Sequence, residues 1–383
     1  MNMKKLITGL IILSTLMLCA CGASKPAPTP APTAEPVPSA EAPTAAPAPT
    51  AVPTAEPEPT PTRVPELLIA QTPEDVENEL YAAVCALRQP ATMDISAVAF
   101  DMEPELAVKN LYYGLTARFP EIKYAYDLEA QTENGILNCR VSYMPYMTGD
   151  WPESCAGAQE ISSAEELMRA AEEHIGAQDY PIRLTDTSLT PDDMSRVLQQ
   201  AGGGYILCAL NRDATAITYS PAMGMKIEDC MALLEQADTL AAQIAAQVTD
   251  DSMTEMEKAQ ALYTYLTVNV QYDRRYYSDR SNMPYDSQTA IGALRDNLAI
   301  CGGYSNALKL LFEQVGISCY NVTGKCGREN HMWNIARVDG QWLWFDATSD
   351  RGLTPDSFRQ FALTELDTER YTWEQSWIDV LLK

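Results

Sequence analysis

Three residues in the last third of the chain have the side chains that thiol-based acyl transfer requires: Cys301, His331 and Asp346. A thiolate is a strong nucleophile, an imidazole can hold its proton, and a carboxylate can fix the imidazole tautomer. A lone cysteine or a lone strand histidine is more often structural. Because the chain has only 2 histidines, the order of these three residues favours chemistry over packing.

The residues after Cys301 predict a helix. Apolar side chains recur with helical spacing and stop at Gly316, a typical C-terminal cap. Cys301 should therefore lie at or just before a helix N-terminus, where free N–H groups favour a thiolate. Gly302 and Gly303 cost about 1 kcal/mol each in a first turn compared with Ala. This cost indicates that another group, such as a substrate oxyanion, approaches the backbone closely.

A predicted hairpin supplies the partners of the thiol. The segments HMWNIARV and QWLWFDA flank Asp339-Gly340, a strong signal for a two-residue turn. Counting outward from this turn places Trp333 opposite Asp346. Because strand side chains alternate, His331 and Asp346 become diagonal neighbours on one face of the sheet. We therefore predict a hydrogen bond between the two side chains.

The motifs CGGYSNALKLLFEQVGI and HMWNIARVDGQWLWFDAT resemble the transglutaminase-like superfamily, which has the papain-like cysteine enzyme fold. The resemblance covers roughly residues 250–360. It implies that Cys301 is the nucleophile, His331 the general base and Asp346 its orienting carboxylate. Met332 replaces the usual Ala, and Ser349-Asp350 replaces the usual Trp-Asp, two departures that bear on substrate fit.

Further site residues follow from the resemblance and from proximity in sequence. We expect five further residues to shape the site: Gly302, Gly303, Tyr304, Trp333 and Asn334. The two aromatic residues among them could instead be packing residues of the core. A zinc site that adds Cys319 and Cys326 to Cys301 and His331 is a weak alternative, because it lacks a C-x2-C pair. We predict no metal and no cofactor. Among the cysteines after Cys21, Cys319 and Cys326 are the pair closest in sequence, and their pairing stays open.

The N-terminus indicates export. Residues 1–20 have a basic start and a short apolar run, as in a signal peptide. The sequence Leu18-Cys19-Ala20-Cys21 resembles the lipobox of bacterial lipoproteins, which implies lipidation of Cys21. A lipid on Cys21 would anchor the protein to the extracellular face of the bacterial cell membrane without a membrane-spanning helix.

The rest of the chain divides by composition. Residues 21–65 hold more than half of the chain's 25 prolines and predict a disordered stalk rich in Pro, Ala and Thr. We predict a smaller α+β domain with an antiparallel sheet over 66–225, and a transglutaminase-like domain over 226–383. The smaller domain shows helical spacing around 74–89 and 104–119. Five of its segments are typical of strands: DISAVAF, IKYAYDL, ILNCRVSYM, YILCALN and AITYSPA.

The net charge of the chain and the candidate site residues together limit the classes of function that the protein can have. A formal net charge of -25 argues against nucleic acid as a partner. We expect a surface-anchored cysteine enzyme that attacks an amide in a protein or cell-wall peptide, with water as the default acceptor. Two alternatives stay open: a transglutaminase that cross-links proteins, and a non-catalytic module that binds a peptide or wall polymer on the same fold.

Overall fold

The computed structural model describes residues 67–382, except for the side chain of residue 223. The predicted signal peptide, Cys21 and the stalk lie outside the described residues. The described residues fall within one compact unit. The domain boundary near residue 225 stays a prediction.

The first part of the described chain is a sheet covered by two helices. It contains β1 (Leu68–Ile69), α1 (Pro73–Cys85), β2 (Ala91–Asp94), α2 (Pro104–Arg118), β3 (Ala125–Glu133) and β4 (Ile136–Tyr143). The strands have the order β1-β2-β4-β3, and only β1 and β2 are parallel. The strand predicted from DISAVAF is wrong. The strand ends at Asp94, because its Oδ1 accepts the Ser96 N–H at 2.9 Å and turns the chain.

A second sheet follows with its own helices. It contains α3 (Pro145–Thr148), β5 (Gln159–Ile161), α4 (Ala164–Glu173), β6 (Tyr180–Leu184), α5 (Pro191–Leu198), β7 (Ile206–Leu210) and β8 (Ala216–Pro221). The strand order is β5-β6-β8-β7, in which only β5 and β6 are parallel. The predicted strands YILCALN and AITYSPA form the β7–β8 hairpin. This part of the chain therefore has two mostly antiparallel sheets rather than one.

Two long helices precede the motifs that contain Cys301 and His331: α6 (Ile227–Val248) and α7 (Glu255–Asn269). The capping box predicted at the start of α7 is present. Thr254 Oγ1 accepts the Glu257 N–H at 3.2 Å, and Glu257 Oε2 accepts the Thr254 N–H at 2.8 Å. Within residues 67–382, none of the helices combines the length and the apolar character that crossing a membrane needs.

The C-terminal part packs one helix on a curled antiparallel sheet. It contains β9 (Gln271–Tyr272), α8 (Arg275–Ser278), α9 (Ala290–Leu294), β10 (Leu298–Ala299), α10 (Cys301–Glu313), β11 (Cys319–Cys326), β12 (Glu329–Val338), β13 (Gln341–Phe345), β14 (Tyr371–Trp373) and α11 (Ser376–Leu381). The strand order is β13-β12-β11-β14. Leu308, Leu311 and Phe312 of α10 are fully buried, and the Phe312 ring lies 5.2 Å from that of Phe345. This apolar face fixes α10 on the sheet, and the predicted α+β class is confirmed.

The hairpin of β12 and β13 has the predicted two-residue turn. Asp339 and Gly340 have φ angles of 50° and 78°, as a type I′ turn requires. Val338 pairs with Gln341, and the register continues to Asn334 and Phe345. The β12 and β13 side chains therefore alternate as the sequence predicts.

Cys319 and Cys326 do not form a disulfide. All eight cysteines of the described residues are free thiols. Cys319 begins β11 and Cys326 ends it, and an extended strand of this length separates its ends by roughly 20 Å. This distance is far beyond the reach of an S–S bond.

Candidate active site

Cys301 is the first residue of α10 and faces an open cleft. Ile300 is the N-cap residue and provides no side-chain cap, so the first N–H groups of the helix are not taken up by a capping side chain. The Cys301 side chain is half-buried and lines a cleft of about 880 Å³. The structure thus places a thiol and free backbone donors together at the surface of a cleft.

Gly302 and Gly303 are required by the chain's own packing. A Cβ on Gly303 would lie 2.7 Å from Ser287 O and 2.9 Å from Thr289 O, and one on Gly302 would lie 2.9 Å from Gln288 O. The close approach that these glycines indicate is therefore present. The group that approaches these glycines in the structure is the backbone of residues 287–289, whereas we expected a substrate oxyanion from the sequence.

His331 lies on β12 and forms a hydrogen bond with Asp346. The two atoms concerned, His331 Nε2 and Asp346 Oδ2, are 2.8 Å apart. This is the contact that the hairpin register predicts. His331 and Cys301 line the same cleft, and the nearby Cys301 side chain contributes to the raised pKa of His331. The structure therefore links His331 to Asp346 directly and places Cys301 on the same cleft as His331.

The electrostatics of the group favour a charged imidazole. Burial lowers the pKa of His331, but its hydrogen bond to Asp346, the nearby Cys301 side chain and the charges of both outweigh burial and raise the pKa to about 10. Burial also raises the pKa of Asp346, yet the His331 contact and the bonds from Ser349 more than compensate and lower it. Both shifts act in the direction of an imidazolium beside a carboxylate.

The sequence of residues 242–347 matches the model of the Transglutaminase-like superfamily. This segment is a transglutaminase-like domain. The match ends one residue after Asp346 and so contains Cys301, His331 and Asp346.

The chain is also similar to several solved structures. One is a TGase, with 15% identity over 79% of this chain and 64% of that chain, at a TM-score of 0.29. A second is a candidate cysteine protease from Cytophaga hutchinsonii, with 18% identity over 39% of this chain and 55% of that one, at a TM-score of 0.24. A third is a candidate protease from Parabacteroides distasonis, with 13% identity over 58% of this chain and 36% of that one, at a TM-score of 0.22.

The chain therefore spans less than two thirds of the length of each of these proteins. With TM-scores this low, the three structures support no inference beyond the family match itself. No curated protein matches the chain.

Two further residues complete the surroundings of Asp346: Ser349, which the sequence marks only as a departure from the family pattern, and Tyr371, which the sequence did not reveal. Ser349 donates its N–H to Asp346 Oδ1 at 3.0 Å and its Oγ–H to Oδ2 at 2.7 Å. The Tyr371 hydroxyl donates to Oδ2 at 2.8 Å. Asp346 is only 1% exposed, so these donors replace the water that burial removes. Tyr371 lies outside the segment of the transglutaminase-like match.

The other residues that we predicted to support the site differ in whether they contact His331. Trp333 is fully buried and stacks on the His331 ring at 5.9 Å. Tyr304 is also buried, and its hydroxyl donates to Val270 O. Asn334 donates to Ser305 O at 3.1 Å and to Asn321 Oδ1 at 2.9 Å. Trp333 therefore orients the imidazole, whereas Tyr304 and Asn334 hold the helix and the strands of the transglutaminase-like domain together.

The cysteines of the weak zinc alternative are separated by β11. Cys319 is buried at the start of the strand, and Cys326 lies at its other end. In the part of the chain that the structure describes, no three His, Cys, Asp or Glu side chains are grouped as metal ligands.

The cleft beside Cys301 has walls from several elements. Its lining comes from α5, the N-terminus of α10, the β11–β12 hairpin, the segment after α8, and β14. Representative lining residues are Tyr276, Gln288, Gly324, His331, Met332 and Trp373. Met332, the departure from the usual Ala, therefore faces the space where a substrate would lie.

Proposed function

We propose that this chain is a cysteine enzyme that attacks an amide bond through Cys301, His331 and Asp346. One observation carries the proposal: His331 is hydrogen-bonded to the buried Asp346 carboxylate and lines the same open cleft as the Cys301 thiol. Because the pKa of His331 is raised to about 10, the imidazole is protonated at neutral pH, and an imidazolium favours the nucleophilic form of a neighbouring thiol.

In the first half of the reaction, the Cys301 thiolate attacks the carbonyl carbon of a substrate amide. The oxyanion that forms is stabilised by the free N–H groups at the start of α10. The C–N bond then breaks, and the His331 imidazolium donates its proton to the leaving amine. The products of this half are the free amine and a thioester on Cys301.

In the second half, a nucleophile resolves the thioester. Neutral His331 accepts a proton from water, the oxygen attacks the thioester carbonyl, and a carboxylic acid and the thiolate are released. An amine in place of water would give a transamidation product from the same residues. Hydrolysis is the default, because water is the abundant acceptor. The chain would then be a peptidase or amidase acting on protein or cell-wall peptide.

The proposed location follows from the N-terminus. Lipidation of Cys21 and a Pro-rich stalk over 21–65 would hold the domain at the extracellular face of a bacterial membrane. At about 3.1 Å per residue, such a stalk would reach up to roughly 130 Å from its anchor. Peptide substrates in the surrounding wall would then lie within range of the cleft.

Site-resolved alkylation tests the proposed chemistry. The folded protein is treated with iodoacetamide at pH 6.5, and the modification of each cysteine is followed by mass spectrometry. Cys85 is exposed and serves as the internal reference. We expect Cys301 to react about tenfold faster than Cys85, because it lies at a helix N-terminus and shares a cleft with the protonated His331.

Two variants and a matched control identify the cause of the reactivity. His331→Ala should slow the alkylation of Cys301 to the rate of Cys85, and Asp346→Ala should slow it less, since Asp346 acts through the imidazole. The control is His174→Ala, which removes the other histidine of the chain and should leave the rate unchanged. A Cys301 that reacts no faster than Cys85 and ignores the loss of His331 would overturn the enzyme and leave a binding module on this fold.

A further inference from the structure

The cleft has the opposite charge to the protein that surrounds it. The chain has 52 Asp and Glu residues against 27 Lys and Arg, so an average surface patch is acidic. Among the side chains that line the cleft, however, the cations Arg196, Arg280 and Lys325 face a single carboxylate, Glu374. The local charge is therefore positive next to Cys301.

Two of these cations have no carboxylate partner in the described residues. Arg196 lies 3.5 Å from Glu374, which neutralises it. Arg280 and Lys325 form no ion pair between residues 67 and 382. The neighbouring Asp279 carboxylate accepts hydrogen bonds from Ser281 and Asn282 and forms no ion pair with Arg280 in the described residues.

The free cations belong to different walls. The Arg280 guanidinium lies over the Tyr276 ring at 4.6 Å, a contact that restricts its side chain without neutralising its charge. Lys325 lies on β11 opposite Asn330, the residue before His331. Both residues line the cleft that holds Cys301, so a peptide bound there would lie near two free positive charges.

We propose that the cleft selects acidic peptides, with Arg280 and Lys325 binding carboxylates that flank the amide attacked by Cys301. The proposal rests on the proposed function for the reaction itself and adds the substrate class. Complementary charge steers association and excludes wrong partners. An acidic peptide is repelled by most of this protein, so the cleft is the surface at which it gains attraction.

The test compares an anionic and a neutral reagent on the same thiol. Iodoacetate and iodoacetamide are each reacted with the folded protein at low salt, and the rate at Cys301 is measured by mass spectrometry. The quantity of interest is the ratio of the iodoacetate rate to the iodoacetamide rate. His331 contributes to this ratio in every variant, so the comparison between variants isolates the two wall cations.

Charge reversal should lower the ratio. We expect Arg280→Glu and Lys325→Glu each to reduce it about threefold or more at low salt, and 0.5 M NaCl to remove most of the difference. The neutral variants Arg280→Gln and Lys325→Gln should fall between these and the wild type. Arg140→Glu and Lys109→Glu make the same charge changes on the first sheet and on α2, and should leave the ratio unchanged.

A peptide experiment extends the test to substrate. Peptides that carry Glu, or Gln at the same positions, are incubated with the wild type and with Arg280→Glu, and cleavage is followed by mass spectrometry. The wild type should cleave the Glu series faster, and the variant should lose this preference.

The outcomes separate the two proposals. A reactive Cys301 with a ratio that no cleft variant changes would overturn the acidic substrate and leave the enzyme standing. If a cleft variant changed the iodoacetate and iodoacetamide rates equally, the acidic-substrate proposal would also be overturned, because the cations would then act on the Cys301 thiol and not on the anionic reagent. A Cys301 that reacts like Cys85 with iodoacetamide would instead overturn the proposed function.

Discussion

At the scale of single residues, the polar contacts of the site converge on Asp346. Its carboxylate accepts hydrogen bonds from His331, from the backbone and hydroxyl of Ser349, and from Tyr371. A buried carboxylate is costly unless such donors are present. The arrangement keeps Asp346 charged, and a charged Asp346 keeps the proton on His331.

The imidazole makes the stability of the fold depend on pH. Folding raises the pKa of His331 from 6.5 to about 10, so the folded protein retains a proton that the unfolded chain releases. The resulting stabilisation is complete below pH 6.5 and is lost as the pH rises through 10. We expect the free energy of unfolding of the wild type to fall by an amount on the order of a few kcal/mol over this range. Urea denaturation at pH 6 and pH 10 measures it.

The control for this prediction is Asp346→Asn, which removes the main partner of the imidazole. The variant should be less stable at pH 6 and should show a much smaller loss between pH 6 and pH 10. An equal loss in both proteins would mean that other groups cause the pH dependence.

Tyr371 offers a second test at the same scale. Tyr371→Phe removes one donor to Asp346 and no ring atoms, so it should lower the stability by about 1–2 kcal/mol. It should also slow the alkylation of Cys301 a few-fold, because a less well held carboxylate orients His331 less well. Tyr265→Phe is the matched control, since no hydrogen bond of its hydroxyl is found in the described residues. If both variants behave alike, Tyr371 contributes packing only.

At the scale of elements, the sequence predicts those parts of the site that local signals determine. The helical spacing after residue 301 places the thiol at the start of α10, and the Asp339-Gly340 turn fixes the register of β12 and β13. The turn signal brings His331 to Asp346, whereas the grouping of Cys301 with these two residues comes from the family resemblance. Ser349 could have been found as well, because a serine three residues after an aspartate commonly bonds its carboxylate.

The strand β14 could not be predicted in the same way. It joins β11 through Cys326, Lys325 and Gly324 after a long irregular segment that contains no strand-to-strand hairpin turn. Non-local pairing of this kind depends on which edge is free once the sheet has formed, and a single sequence does not record that. The same limit explains why the roles of Tyr371 and of the backbone near residue 288 were not foreseen.

The packing under α10 gives a prediction for the element as a whole. Gly303→Ala would place a methyl group 2.7 Å from Ser287 O and from Ala299 Cβ. The backbone could move away from this methyl group only at a cost in stability. We expect a loss of about 1–3 kcal/mol together with a displaced Cys301 and slower alkylation. Thermal unfolding and the iodoacetamide rate measure the two effects.

A helical glycine elsewhere provides the contrast. Gly114 lies within α2, where an added Cβ would meet nothing within 4 Å. Gly114→Ala should therefore raise the stability by roughly 0.5–1 kcal/mol and leave the alkylation rate unchanged. A neutral Gly303→Ala would show that the contacts around 287–289 relax without cost.

At the scale of the whole molecule, the proposed anchor can be tested apart from the chemistry. The wild type should incorporate a fatty acid analogue and partition with membranes, and Cys21→Ala should do neither. Cys19→Ala is the control, because it changes the neighbouring cysteine and spares the proposed lipid site. Label retained in Cys21→Ala would contradict the lipoprotein hypothesis, while the alkylation of Cys301 would be unaffected in either case.

The position of Tyr371 in the chain has a consequence for biosynthesis. A polypeptide emerges from the ribosome in order, so the nucleophile is made first, then the base, then the carboxylate, and Tyr371 last. Until β14 pairs with β11, Asp346 has neither the tyrosine donor nor the covering strand. A nascent chain therefore carries the proposed nucleophile without its complete set of partners, and under the proposed function the reactive thiol would be assembled only after synthesis has passed this strand.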